Sequence, residues 1–298
     1  MSFKMDKKDI ENFKKAGEIV KKVKEDIKKW IKKDMLLLEI AEKIESEIIK
    51  QGGKLAFPVN LGINEITAHY TPSYDDKTKA HGLLKVDFGV AIDNYAADNS
   101  FSIDLENSKE NKKLIEASDE ALERAIKTVK EGKTLGEIGA EIQKIAEKHG
   151  FSPIRNLSGH GIEKGNLHAN LTIPNYDNNS TKLLPDGVYA IEPFITTGVG
   201  EVRDGKESGI YELRNIKNVR DQKTREILEY ISKEYSTLPF CSRWLIKKFG
   251  TRALISLKLI EQTGALHQFS QLIEKSKKPV AQSEATIIIE KGNVEVVT

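Results

Sequence analysis

The sequence predicts an α+β protein built of two related α/β halves, with a helical insertion interrupting the second. Three observations carry this: helical spacing that alternates with short apolar runs, a pattern that recurs 98 residues further on, and a change of texture between residues 221 and 278. Helical patterns run from Asp9 to Ile31, Met35 to Gln51, Lys109 to Glu131 and Thr134 to His149. Gly52 and Gly150 stand just past two of them as candidate C-caps. The recurrence pairs Leu37-Leu38-Glu39-Ile40, Ile44 and Gly52 with Leu135-Gly136-Glu137-Ile138, Ile142 and Gly150, and each copy leads to Asn-Leu, at Asn60-Leu61 and Asn156-Leu157. A second pair of segments, Gly82 to Phe88 and Gly187 to Pro193, ends each apolar run on an acid five residues after the glycine, which makes Asp87 and Glu192 counterparts.

From Asp221 to Lys278 helical runs are expected at Thr224 to Tyr235, Ser242 to Phe249, Thr251 to Gln262 and Gln268 to Lys275, after which strand-rich sequence resumes at Val280. The expected division is therefore residues 1–220 with 279–298 as one domain and 221–278 as a helical, winged-helix-like insertion. Arg243, Lys247, Lys248, Arg252 and Lys258 make that insertion basic, and a solvated face explains them best. The chain of 298 residues carries a net charge of +2, which does not favour nucleic acid as the default partner. The amino terminus lacks an apolar leader, and Ala253 to Ile260 is too short to span a bilayer, so a cytoplasmic protein is expected. Cys241 is the single cysteine, which excludes an intrachain disulfide and a thiolate cluster. Any metal must be held by oxygen and nitrogen.

Asp87 sits inside Leu83 to Ile92, a run whose composition reads as a buried strand, and a buried carboxylate needs a compensating cation. Asp93-Asn94 suits a two-residue hairpin turn, followed by a second run from Tyr95 to Ile103. If Ile92 faces Tyr95, Asp98 lies opposite Gly89, one diagonal step from Asp87, and both carboxylates point from one face. Three more positions fall in similar contexts: His160 between two glycines, Glu192 at the end of Tyr189-Ala190-Ile191, and Glu284 entering Ala285 to Ile289. Arginine and lysine hardly occur within those strands apart from Lys85. Two divalent cations would neutralise the four carboxylates. His81, His149 and His267 read as structural or exposed, and Cys241 as a small buried residue.

Lys85-Val86-Asp87-Phe88-Gly89 through Ala97-Asp98, Leu157-Ser158-Gly159-His160, Ala190-Ile191-Glu192-Pro193-Phe194 and Gln282-Ser283-Glu284 together resemble the five-ligand pattern of methionine aminopeptidases. The insertion, with Phe57-Pro58-Val59-Asn60 and Asn64 to Tyr70, resembles the type II subfamily in its short archaeal form without an amino-terminal extension. The resemblance implies the pita-bread (creatinase/aminopeptidase) fold and removal of the initiator methionine from nascent proteins. It implies two divalent ions (Mn(II), Fe(II), Co(II) or Zn(II)) held by Asp87, Asp98, His160, Glu192 and Glu284, with Asp98 and Glu284 bridging. It further implies that Glu192 helps to move the proton of the attacking water and that His69 and His168 contact the scissile peptide. Phe57 and Leu167 are candidates for the methionine pocket. A monomer is expected, with ribosome association compatible with the basic insertion. An X-prolyl peptidase of the same fold and a non-catalytic ribosome- or RNA-binding relative are the alternatives. Two departures stand out, Asn94 in the hairpin turn where the family usually has glycine, and Asn99 after Asp98 where threonine is common.

Overall fold

The computed structural model describes residues 5–298 and opens with α1 (Lys7–Trp30) and α2 (Leu37–Lys50). A capping box starts α1: the Asp6 side chain accepts from the Asp9 N–H, and the Asp9 side chain accepts from the Asp6 N–H. Its stripe of Phe13, Ala16, Val20, Val23 and Ile27 is buried. Five strands follow: β1 (Lys54–Leu55), β2 (Asn60–Ile63), β3 (Ile66–Ala68), β4 (Leu83–Ile92) and β5 (Tyr95–Asp104). In the sheet, β4 pairs with β5 along one edge and with β1 and β2 along the other. Helices α1 and α2 cover it, and Val20, Ile27, Ile40 and Ile44 pack with Leu61, Val86 and Phe88 in one core.

The second half repeats the plan. Helices α3 (Lys109–Lys130) and α4 (Leu135–Lys148) precede β6 (Ser152–Pro153), β7 (Ser158–Glu163), β8 (Asn166–Pro174), β9 (Gly187–Ile191) and β10 (Phe194–Thr196). Each of α2 and α4 has 14 residues, and each is followed by a glycine in the left-handed region, Gly52 at φ 84° and Gly150 at φ 80°. The recurrence in the sequence is thus a recurrence of structure. After the insertion come β14 (Val280–Gln282), β15 (Ala285–Glu290) and β16 (Asn293–Val296), with β15 between β9 and β16 in a five-stranded sheet that ends in β7 and β8. Short β14, β10 and β6 form a further sheet. A core of Phe13, Phe57, Ala91 and Ala96 with Ile162, Leu167, Ala190 and Ile288 joins the two halves.

Between the halves' strands lie β11 (Val202–Leu213), α5 (Gln222–Glu234), β12 (Phe240–Cys241), α6 (Ser242–Phe249), α7 (Ala253–Gln262) and β13 (Leu266–Glu274). Two expectations are corrected here. Gln268 to Lys275 is not a helix: β13 is a strand, in a sheet ordered β12-β11-β13-β3. Leu266, Phe269, Leu272 and Ile273 mimic helical spacing, and every residue from Gln268 to Ile273 is half-buried, so neither face shows the alternation that marks a strand. The segment is therefore not all-helical. Nor is Arg243 a solvated charge. Its guanidinium donates to both carboxylate oxygens of Glu45 on α2, at 2.8 and 2.7 Å, and its Nε donates to the Pro72 carbonyl at 3.1 Å. No helix among the described residues is long and apolar enough to cross a membrane.

Candidate active site

The β4–β5 hairpin turns through Asp93 and Asn94 at φ 50° and 68°, the two left-handed residues that a type I′ turn requires. Asparagine tolerates that conformation, so the departure in the turn leaves the hairpin intact. Ile92 faces Tyr95, Gly89 faces Asp98 and Asp87 faces Ser100, the register expected from the sequence. Gly89 is needed for close approach, since a β-carbon there would lie 2.4 Å from the Phe57 ring.

The second half brings three more groups to the same place. His160 on β7 pairs with Ala190 on β9, Glu192 follows the end of β9, and Glu284 lies between β14 and β15, its N–H donating to the Ser100 carbonyl at 3.0 Å. His160 Nε2 lies 3.8 Å from Asp98 Oδ2 and 3.6 Å from Glu192 Oε1. Its Nδ1 is 3.2 Å from the Gly161 carbonyl, which makes Nδ1 the protonated nitrogen and leaves the Nε2 lone pair for the cluster. One donor atom each from Asp98, His160 and Glu284 lie within 4.8 Å of one another. Asp87 Oδ1 is buried and has no hydrogen-bond partner. Asp87 and Glu192 are half-buried, facing the same cleft.

Among the described residues, the only basic side chain paired with any of these four acids is His160. Lys85 is buried beside them, but its ammonium donates to the carbonyls of Asn64 and Val280, each at 2.9 Å. Burial, reinforced by neighbouring carboxylates, therefore holds the Asp87, Glu192 and Glu284 carboxyls well above the usual range, and burial raises Asp98 to about 7. Burial also draws His160 down to about 4. The donors fit a hard divalent cation: carboxylate oxygens, one imidazole with a free lone pair, and an unpartnered buried oxygen.

The cleft above the cluster has a volume of about 820 Å³. Phe57, Leu167, His69 and His168 all line it. The His168 ring packs edge-on against His160 with centroids 4.5 Å apart. His168 opens to the cleft, and the surrounding walls, followed by the rings of His160 and His69, draw its imidazole down to about 3. Its neutral form is thereby favoured. His69 has φ 59°, a strained conformation for a side chain of this size. Its Nδ1 lies 3.2 Å from the Ser270 carbonyl, and its ring packs edge-on against Phe269, so β13 holds it in place. Burial lowers its pKa as well. The sequence reading missed Phe269, Leu272 and Pro239 in this wall, and the charged pair Glu212 and Arg214 at 2.9 Å. Phe269 and Leu272 were hidden by the assignment of their segment to a helix. The remaining histidines stay outside: His149 pairs with Glu120 at 2.6 Å, His81 is exposed and His267 packs on Phe269.

The model of metallopeptidase family M24 matches residues 11–223. The chain belongs to this family. Within M24 it falls with the methionine aminopeptidases: that of Pyrococcus horikoshii is 43% identical over 295 residues, covering 97% of this chain and 99% of the relative. Among solved structures, a thermophilic Arx1 superposes with a TM-score of 0.84 at 16% identity, over 99% of this chain and 91% of the other. The methionine aminopeptidase of Rickettsia prowazekii does so with 0.71 at 21%, over 99% and 98%. At such identities these structures speak for the fold alone, which is the pita-bread fold of the M24 enzymes.

Proposed function

We propose that this cleft removes the initiator methionine from nascent chains in the cytoplasm, with Asp87, Asp98, His160, Glu192 and Glu284 holding two divalent cations. The observation that carries the reading is four converging carboxylates with no lysine or arginine paired to them and with Asp87 Oδ1 unpartnered. Unneutralised, such a cluster is very costly to bury, and two divalent ions balance four carboxylates. The donor set suits Mn(II), Fe(II), Co(II) or Zn(II). Bound ions of this kind supply a nucleophile at neutral pH and polarise a scissile carbonyl.

The protein's own groups do the rest. Asp98 and Glu284, the more deeply buried of the four acids, would hold the ions together with Asp87, His160 and Glu192. Glu192, on the cleft side of the cluster, takes up the proton of the attacking water. His69 donates Nδ1–H to Ser270, which leaves Nε2 free to accept the N–H of the scissile peptide. His168, a neutral ring with an N–H to donate, stabilises the oxyanion of the tetrahedral intermediate. Phe57 and Leu167 wall the space for the methionine side chain. Cleavage of Met-Ala-Ser by protein reconstituted with Mn(II) or Co(II), against an Ala-Pro peptide as control, tests the proposal. Preference for the Ala-Pro peptide, or no cleavage of either, overturns it.

Two further outcomes are expected. His168→Ala should keep its metal and lose about 10²- to 10³-fold in kcat, the usual effect of removing one oxyanion donor. Metal analysis of the purified variant checks the first part and steady-state kinetics the second. The other outcome is a pH dependence. Raised carboxyl pKa values mean that the metal-free fold holds protons its unfolded chain has already lost, so that fold loses stability as pH climbs through about 7. A cation must displace the same protons, and its binding tightens over the same window. The rise in melting temperature on adding Mn(II) should therefore be larger at pH 8 than at pH 6. An equal rise at both would contradict the assignment of these acids as ligands.

A further inference from the structure

Behind the carboxylate cluster, on the far side of β5, one lysine reaches toward it from α1. Successive residues of a strand point to opposite faces, so when Asp98 faces the cleft Asn99 faces α1. Asn99 is wholly buried, and its Oδ1 accepts from Lys24 Nζ at 2.6 Å. The same residue's backbone N–H donates to Asp98 Oδ1 at 2.8 Å, so one residue joins the lysine to the acid. Lys24 lies one helical turn from the buried Val20 and is itself only partly exposed, which threads its stem along the apolar underside of the sheet. Lys28, a turn further, does not follow it inward but sits over the Phe101 ring, 4.7 Å from its centroid. Asn99 Nδ2 has no partner, so among the described residues the hydrogen bond holding this amide is the one from Lys24. The carboxylates whose charge acts on Lys24 are Asp119 and, more weakly, Glu284, and Asp119 accepts the Ser283 hydroxyl at 2.6 Å. Although burial draws the ammonium down to about 8, it is still charged at pH 7.

We propose that Lys24, clamped by Asn99, is a resident counter-charge to the metal-binding carboxylates and a positioning residue for Asp98. This rests on the metal-site reading above. A fixed positive charge behind the cluster eases the repulsion among its acids when no metal is bound, and opposes the arrival of cations. Removing it therefore has two opposite consequences. The metal-free protein becomes less stable, and its affinity for the first cation rises. At a separation of several ångströms in a partly screened interior, the affinity change is about five- to ten-fold.

The test is calorimetric titration of Mn(II) into metal-free wild type, Lys24→Met and Lys24→Arg at pH 7, with melting of each metal-free protein. Lys24→Met should bind the first Mn(II) about five- to ten-fold more tightly while melting at a lower temperature, and Lys24→Arg should match wild type in both. Affinity in Lys24→Met that is unchanged or weaker overturns the counter-charge, and a Lys24→Arg variant that behaves like Lys24→Met shows that the shape of the side chain matters and not its charge. If wild type binds Mn(II) but Lys24→Met does not differ, only this inference falls. If wild type binds no divalent cation, the metal-site reading falls and takes the inference with it.

Discussion

Alanine at Glu284 is expected to leave the protein with fewer than two bound divalent ions and to lower turnover of Met-Ala-Ser by more than about a thousand-fold, beyond the loss of one oxyanion donor. Glu284 is 2% exposed, and among the described residues its side chain meets one hydrogen-bond donor, the Gln282 amide at a long 3.5 Å. It has nothing structural to hold in place, and its carboxyl is raised by burial together with Asp98, Glu192 and Asp87. Removing it should therefore raise the stability of the metal-free protein while destroying the site, because one of four repelling acids has gone. A residue that served the fold would do the reverse. Metal content by elemental analysis, melting with and without Mn(II), and kinetics together decide it. A Glu284→Ala protein that keeps two ions and its activity would remove Glu284 from the ligand set.

The second large effect concerns stability. Glu45→Ala should destabilise the protein by about 3 to 5 kcal/mol, lowering Tm by roughly 5 to 8 °C. Glu45 accepts two hydrogen bonds from Arg243 and a third from Trp244 Nε1 at 3.0 Å, and both members of the pair are buried. Its removal strands a guanidinium away from water, a penalty that an exposed pair would not incur. The double variant Glu45→Leu with Arg243→Met should recover most of the loss, since it leaves no charge buried. Thermal melting of the single and double variants measures both. A single variant within about 1 kcal/mol of wild type would place this pair among ordinary surface bridges.

Much of the site was legible because its signals are local. A two-residue turn fixes a hairpin register, and a period of two then dictates which side chains share a face, so Asp87 and Asp98 could be placed together from residue numbers alone. The repeated helices, with glycines just past them, were equally visible. What could not be read depends on partners distant in the chain. Arg243 looks like Lys247 or Lys248 in sequence, and only the approach of α2 makes it a buried ion pair. The strain at His69 is invisible until Ser270 and Phe269 arrive from β13. That strand is half-buried on both faces, which erased the pattern that would have announced it.

The joint between the halves has a mechanical consequence. Asp87 and Asp98 come from one sheet, while His160, Glu192 and Glu284 come from strands of the other or from the segments that flank them. Ions held among them would act as rivets across a seam already closed by apolar contacts, such as Phe57 with Leu167 and Ala190, and by hydrogen bonds such as Glu284 N–H to the Ser100 carbonyl. Loading the site would add its binding free energy to that joint, because the ligands come from both halves. Partial openings along this seam would then become costlier than in the metal-free protein.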